Sequence, residues 1–259
     1  MTQTHFDGME DLDRALDAAG SSAVVLVCEH ASNHIPAQFQ GLGLSDADRV
    51  SHAAWDPGAL AVAQGMARRL DACLVAARVS RLVIDCNRPP EAADAMPMRS
   101  EIITIPGNAA LTAAARGARV QAYYHPFHAA VGRAVERVAD PILVTIHSFT
   151  PTYHGKARAV EIGILHDRDT RLADAMLDAA ARHTRSIVAR NQPYGPNDGV
   201  THTLKLHAVE AGLPNVMIEV RNDLLATVAQ QDAMALTLSK WLAEACATLG
   251  FAGRVQCRV

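Results

Sequence analysis

Paired cysteines, a surplus of basic charge and a long apolar run are all missing from this sequence. The five cysteines, Cys28, Cys73, Cys86, Cys246 and Cys257, are odd in number and scattered, with no CxxC pair. Three of them fall inside or beside apolar runs, where a reduced cysteine behaves as a small hydrophobe. Lysine and arginine total 24 against 27 acidic residues, a net charge of -3 with histidine neutral. That balance gives no electrostatic reason to expect nucleic acid or an anionic membrane as partner. No apolar run approaches the ~20 residues that cross a bilayer. The first twenty residues, MTQTHFDGMEDLDRALDAAG, are acidic and lack the basic-then-apolar layout of a signal peptide. A cytoplasmic location is the expectation.

What is present is a chain rich enough in apolar residues to build a core. It has 259 residues, 49% hydrophobic and 20% charged, and no repeat or linker strong enough to split it, so a single domain over 1–259 is expected. The stretch VVLVCEHASNHIP, residues 24–36, organises the rest. Val24–Cys28 is short, uncharged and rich in β-branched residues, the pattern of a strand buried on both faces. It breaks at once into Glu29, His30, Ser32, Asn33 and His34. Buried unpaired charge costs several kcal/mol, so this polar group belongs at the carboxyl end of the strand, where open α/β sheets place their ligands.

The same signature recurs along the chain. Apolar runs at Cys73–Val79, Leu82–Cys86, Pro141–Ile146, Ala159–Leu165 and Asn215–Val220 read as further strands. Helices are expected near 10–19, from Asp46, after Asp56-Pro57, over 117–139, 171–183, 202–212 and 224–249. Asp56 suits a helix N-cap ahead of Pro57, and Pro126 either kinks its helix or marks its start. Residues 91–110 read as a surface excursion, and 191–203 as a long functional loop. Strands alternating with helices predict an α/β fold, a three-layer α/β/α sandwich on a mostly parallel mixed sheet. In such a sheet the strand ends at Glu29/His30, Asn87/Arg88, His147 and Glu219/Arg221 converge.

Two histidines and a carboxylate with one open position form a common catalytic zinc set. His30 and His147 are the natural imidazoles; Asp56, Glu29 and Glu219 are the candidate acids. A metal hydrolase also needs a carboxylate to move a proton from water to the leaving amine. Glu219 suits that task because its apolar strand raises its pKa, which leaves Asp56 or Glu29 for the metal. Asn87, Arg88 and Arg221 would supply hydrogen bonds and positive charge to a substrate carboxylate. His5, His166 and His183 read as surface or loop residues, and His125 and His128 as packing or solvent residues on a helix.

The motifs CEHASNHIP, HAAWDPGA, LVIDCNRPP, VTIHSFTP, NDGVTHTL and IEVRNDL, in that order, resemble the N-formylglutamate amidohydrolase family. The resemblance runs from about Ser22 to the final helix. It implies a zinc-exopeptidase-like α/β/α fold, shared with carboxypeptidases, aminoacylases and cell-wall amidases. It also implies metal-dependent hydrolysis of a small N-acylamino acid: N-formyl-L-glutamate plus water giving formate and L-glutamate, late in histidine breakdown. Carried over, His30 and His147 match the imidazole ligands of one divalent metal, zinc first among the candidates, and Glu219 matches the base. The acidic ligand of the cell-wall amidases opens the helix before a second strand, where Asp56 stands here. Carboxypeptidase-like relatives use a Glu three residues after the first His; here that position is Asn33, which favours Asp56. Asn87-Arg88 resembles the pair that grips substrate carboxylate in those relatives, with Arg221 beside it and His202 as a donor to the oxyanion. Glu29 is then an alternative ligand or a partner that orients an imidazole. The rival readings are an amidohydrolase of another N-acylamino acid or acidic peptide, and a non-catalytic binding module on the same fold.

Overall fold

The computed structural model describes residues 20–258, so the helix expected near 10–19 lies outside the described residues. Six strands form one sheet: β1 (Val24–Cys28), β2 (Cys73–Ala76), β3 (Ile142–Phe149), β4 (Ile162–Leu165), β5 (Val188–Arg190) and β6 (Asn215–Arg221), in the order β2-β1-β3-β6-β4-β5. The first four in that order run parallel, and β4 meets β6 antiparallel. β5 then runs parallel to β4. This is the mixed, mostly parallel α/β sheet that the alternating pattern predicts.

Period-two alternation sorts the side chains into two faces. Val24, Leu26, Ile142, Val144, Ile146, Val216 and Ile218 pack against helices α1 (Ala59–Leu70), α3 (Arg171–His183) and α4 (Val228–Thr248). On the opposite face Val25, Val27, Leu143 and Met217 meet Phe127, Val131 and Ala134 of α2 (His125–Arg137), and Leu204 and Ala208 beyond it. β1 and β3 are buried on both faces, because each has a neighbour strand on either side and helices above and below. No helix among the described residues is long and apolar enough to cross a membrane.

Several local expectations are corrected. Leu82–Cys86 is buried but is not a strand: Val83 and Ile84 N–H both turn back to the Ser80 carbonyl, and Asp85 N–H donates to Ala95 O at 2.8 Å. Leu82, Val83 and Ile84 fill a third apolar cluster with Leu42, Met96 and Ile105. An apolar run reports burial, and periodicity over five residues cannot tell a strand from a packed turn. The 91–110 excursion covers this turn. Arg119, itself buried, donates to Val83 O at 2.9 Å and to Asn108 Oδ1 at 2.7 Å, and Asn108 in turn donates to Leu82 O.

The helix expected over 117–139 is Ala113–Arg119 joined to α2 by a π turn, Val120–Tyr124. That widened turn lies where the Pro126 ring would otherwise meet the carbonyl four residues back. The segment after His202 is likewise one short turn, His202–Leu204, running into a π turn, Lys205–Val209. Asp56 is not the N-cap of α1. Gly58 takes that place with φ 83, and a Cβ there would stand 2.6 Å from Leu225 Cβ. The Asp56-Pro57-Gly58 turn is tied down instead by its backbone, with Asp56 N–H donating to His30 O and Ala59 N–H to Asp56 O. The Asp56 side chain is thereby left to another task.

Candidate metal centre

His147 and Glu219 are paired directly across β3 and β6, so their side chains leave the same face of the sheet side by side. Glu29 and His30 follow β1 immediately. Asp56 is brought in by its turn, held to His30 as above and to β3 by a Ser148 Oγ–H bond to Pro57 O at 2.8 Å. The turn after β2 supplies Arg81, Asp85 and Asn87. His30, Asp56 and His147 each present a ligand atom, all within 4.8 Å of one another. These three, with Glu29, Asp85 and Glu219, are at most 5% exposed.

The polar contacts have a direction. Both Nδ1 atoms face inward to Asp56 Oδ2, His30 at 3.3 Å and His147 at 2.9 Å, and Ser148 N–H adds a third contact at 3.2 Å. Both Nε2 atoms face outward to a second carboxylate. His30 Nε2 stands 2.8 Å from Asp85 Oδ1, and His147 Nε2 stands 3.0 Å from Glu29 Oε2 as an ion-pair contact. Arg81, about a quarter exposed, spans Asp85 Oδ2 at 2.8 Å and Asp56 Oδ1 at 3.5 Å.

Burial alone would push Asp56 up, but the two imidazoles overcome it and hold the carboxyl well below its usual range. Asp85 is held down in the same way by His30 and Arg81. Burial would lower both imidazoles, yet the surrounding carboxylates raise them: His30 through Asp85 and Asp56, His147 through Glu29 and Asp56. Glu219 goes the other way. Burial dominates and pushes it up to about 7, and its Oε2 has no hydrogen-bond partner.

Two inward nitrogens and an inward carboxylate oxygen, the His30 ring hydrogen-bonded to Asp85 and the His147 ring ion-paired with Glu29, fit a divalent cation with nitrogen and oxygen ligands. The orphaned Glu219 Oε2 beside them marks a position where a polar species would be received. His30, Asp56 and His147 could therefore hold a metal, and Glu219 could move a proton next to it.

The remaining sequence candidates are placed differently. Asn87 is buried and occupied on both sides, its Nδ2 donating to Val200 O and its Oδ1 accepting from Thr203 N–H. Arg88 bonds Asp94 through Nε and the Asn87 and Gly199 carbonyls through Nη1. Arg221 directs its guanidinium to Asp223 and Glu161. The Asn33 amide donates to the Arg49 carbonyl at 3.2 Å. His202 Nε2 lies 2.7 Å from the Tyr124 hydroxyl.

Sequence reasoning passed over Arg81, Asp85 and a histidine chain behind the site. His128 Nε2 lies 2.9 Å from Cys86 O and must donate to it, so neutral His128 accepts at Nδ1 from His207 Nε2–H at 2.9 Å. Burial pushes both of these imidazoles down to about 4, which keeps that direction of donation at neutral pH. Asp85 was visible in DCNRPP as one more polar residue at a run's end. Nothing in the spacing singled it out.

The fold and the centre together describe an α/β protein with a candidate metal site. Residues 22–226 match the family model for N-formylglutamate amidohydrolase. A solved structure of a gene product from Agrobacterium tumefaciens is 56% identical, with a TM-score of 0.87, covering 90% of this chain and 94% of that one. The solved N-formylglutamate amidohydrolase from Ralstonia eutropha JMP134 is 21% identical with a TM-score of 0.65, covering 93% and 97%, and supports the fold. No curated protein matches the chain. The chain belongs to the N-formylglutamate amidohydrolase family, which implies amidohydrolase chemistry on a small-molecule substrate.

Proposed function

We propose that the protein is a metal-dependent amidohydrolase that cleaves N-formyl-L-glutamate to formate and L-glutamate, a step suited to histidine degradation in the cytoplasm. The whole chain, 1–259, is taken as one domain. The observation that carries the reading is the convergence of His30 Nδ1, His147 Nδ1 and the Asp56 carboxylate beside a buried, raised Glu219. His30, Asp56 and His147 would hold one divalent metal, zinc by preference, which when bound would polarise the formyl carbonyl and lower the pKa of a water there toward ~7.

The chain's own residues do the rest. Glu219 Oε2 takes the proton from the attacking water and returns it to the departing amine nitrogen, so the C–N bond breaks as a neutral amine leaves. Asp85 and Glu29 fix the rings of His30 and His147 so that Nδ1 stays inward. His202, held by Tyr124, is a donor toward the developing oxyanion. Arg88 and Asn87 brace the turn that carries Asp85.

Amine release from a panel led by N-formylglutamate, beside formyl-aspartate, acetyl-glutamate, succinyl-glutamate and formyl-methionine, tests the reading. Chelated protein should be inactive, zinc should restore it, and N-formylglutamate should lead. No turnover by folded, metal-loaded protein on any member would remove the proposal. Asp85→Asn should weaken zinc binding by roughly 10- to 100-fold in competition with a chromogenic chelator, while activity at saturating zinc changes little. Unchanged affinity would show that Asp85 does not brace His30.

A further inference from the structure

Three arginines near the strand ends are already committed. Arg81 is shared by Asp56 and Asp85, Arg88 by Asp94 and two carbonyls, and Arg221 by Asp223 and Glu161. A fourth is not. Arg158 follows the small hairpin formed by Thr152–Tyr153 and Lys156–Ala157, which rises directly from the end of β3 and is closed by Arg158 N–H donating to Pro151 O at 2.8 Å. Its guanidinium carbon lies 4.4 Å from the Tyr153 ring centre, 4.8 Å from Tyr194 and 5.6 Å from Phe149. Among the described residues no carboxylate approaches within 4 Å of it, and its Nη1 donates a long hydrogen bond, 3.3 Å, to Thr150 O. Rings on several sides fix the plane of the group without neutralising it.

This guanidinium is on the side of the candidate centre. Phe149 is two residues beyond His147 on β3, hence on the same face and about 7 Å further along. Tyr194 lies within electrostatic reach of Glu219, Arg81 and Arg158, and burial followed by the Glu219 charge raises its phenol.

We propose that Arg158 is the anchor for a substrate carboxylate, the role for which the sequence pointed to Arg88 and Arg221. The inference rests on the proposed reaction, in which an acidic N-acylamino acid is the substrate. A planar, half-buried and uncompensated guanidinium matches a carboxylate through two parallel N–H···O bonds. Either the α-carboxylate or the side-chain carboxylate presents that chemistry, and substrate analogues separate them.

Arg158→Gln should raise KM for N-formylglutamate on the order of 10- to 100-fold, with kcat changed far less. The variant should treat normally the analogue that lacks the gripped group: N-formylglutamine if the side chain is held, N-formylglutamate α-amide if the α-carboxylate is held. Arg158→Lys keeps charge without the fork and should recover part of the loss. Calorimetric binding of glutarate gives a readout free of turnover, and Arg158→Gln should weaken it by a similar factor at an unchanged melting temperature. An unchanged KM and glutarate affinity, or an equal loss on every analogue, would overturn the inference. Should the wild type cleave nothing in the panel yet bind glutarate through Arg158, the proposed reaction falls and the anchor stands. Turnover that is indifferent to Arg158 would sink the anchor alone.

Discussion

Glu219→Gln is expected to lower kcat/KM for N-formylglutamate by roughly 10²- to 10⁴-fold, the usual contribution of a positioned general base. Zinc affinity should hold within a few-fold, because Glu219 is not among the three converging ligand groups. The same substitution should stabilise the metal-free protein at pH 8. The reason lies in the raised folded pKa, about 7 against an ordinary 4.5. Between those values the folded state binds more protons than the unfolded one, so stability falls as pH rises across that window. Above it the buried carboxylate costs the native state at most about 3 kcal/mol, which a neutral amide avoids. Thermal melts with chelator at pH 8 and pH 4.5 check the sign: a gain at pH 8 that fades toward pH 4.5. A variant that kept full activity would remove Glu219 from the reaction, and a loss of stability at pH 8 would refute the burial argument.

The second large effect concerns His147→Ala. This substitution should abolish zinc-dependent activity and cost the metal-free protein about 3–5 kcal/mol, the range for stripping one partner from a buried ion pair. His147 stands 3.0 Å from Glu29 Oε2 and 2.9 Å from Asp56 Oδ2, with all three groups all but inaccessible to water. In the wild type, burial would raise Glu29, but the charge and hydrogen bonding of His147 outweigh it and hold that acid down. Depressed acids contribute stability that is present above their unfolded pKa and lost as pH falls through the folded value. Without the imidazole the penalty should therefore be largest near pH 7 and shrink on acidification, as the stranded carboxylates take up protons. Denaturant titrations with chelator at pH 7 and pH 5 measure this. A cost below about 1 kcal/mol at pH 7 would mean that His147 is not the counter-charge of these carboxylates.

Much of the centre is legible in the sequence because strands reveal where they end. An apolar β-branched run that stops at Glu29-His30, or carries His147 and Glu219 at its far end, states both burial and position. Asp56 is legible for a less secure reason: the turn residues around it looked like a helix cap, and the true cap is Gly58. Arg81 is hidden, and Asp85 stands out only as one more polar residue, because the run Leu82–Cys86 beside Arg81 is a packed turn whose shape depends on the excursion above it. Arg158 was hidden for another reason. Its neighbours Phe149, Tyr153 and Tyr194 are distant or unpatterned in the chain, and only the hairpin and the 191–203 loop bring them to one guanidinium. The antiparallel placement of β4 was also illegible, since a four-residue buried strand reads the same in either direction.

The pairing of Glu219 with His147 across β3 and β6 also bears on how the chain reaches its native state. The centre draws on residues 29, 30, 56, 81, 85, 147 and 219, so nearly every contact in it closes a long loop, the kind of topology that folds slowly. A one-residue slip of β6 against β3 would send Glu219 to the opposite face, packed by α1, α3 and α4, and bring an aliphatic side chain into its place. Local turns and isolated hairpins of this chain contain no pair of the three ligand groups. A metal held by these groups would accordingly have nothing to grip until β1 and β3 have docked and the Asp56 turn has closed, and it would act as a lock on the finished sheet instead of a nucleus for it.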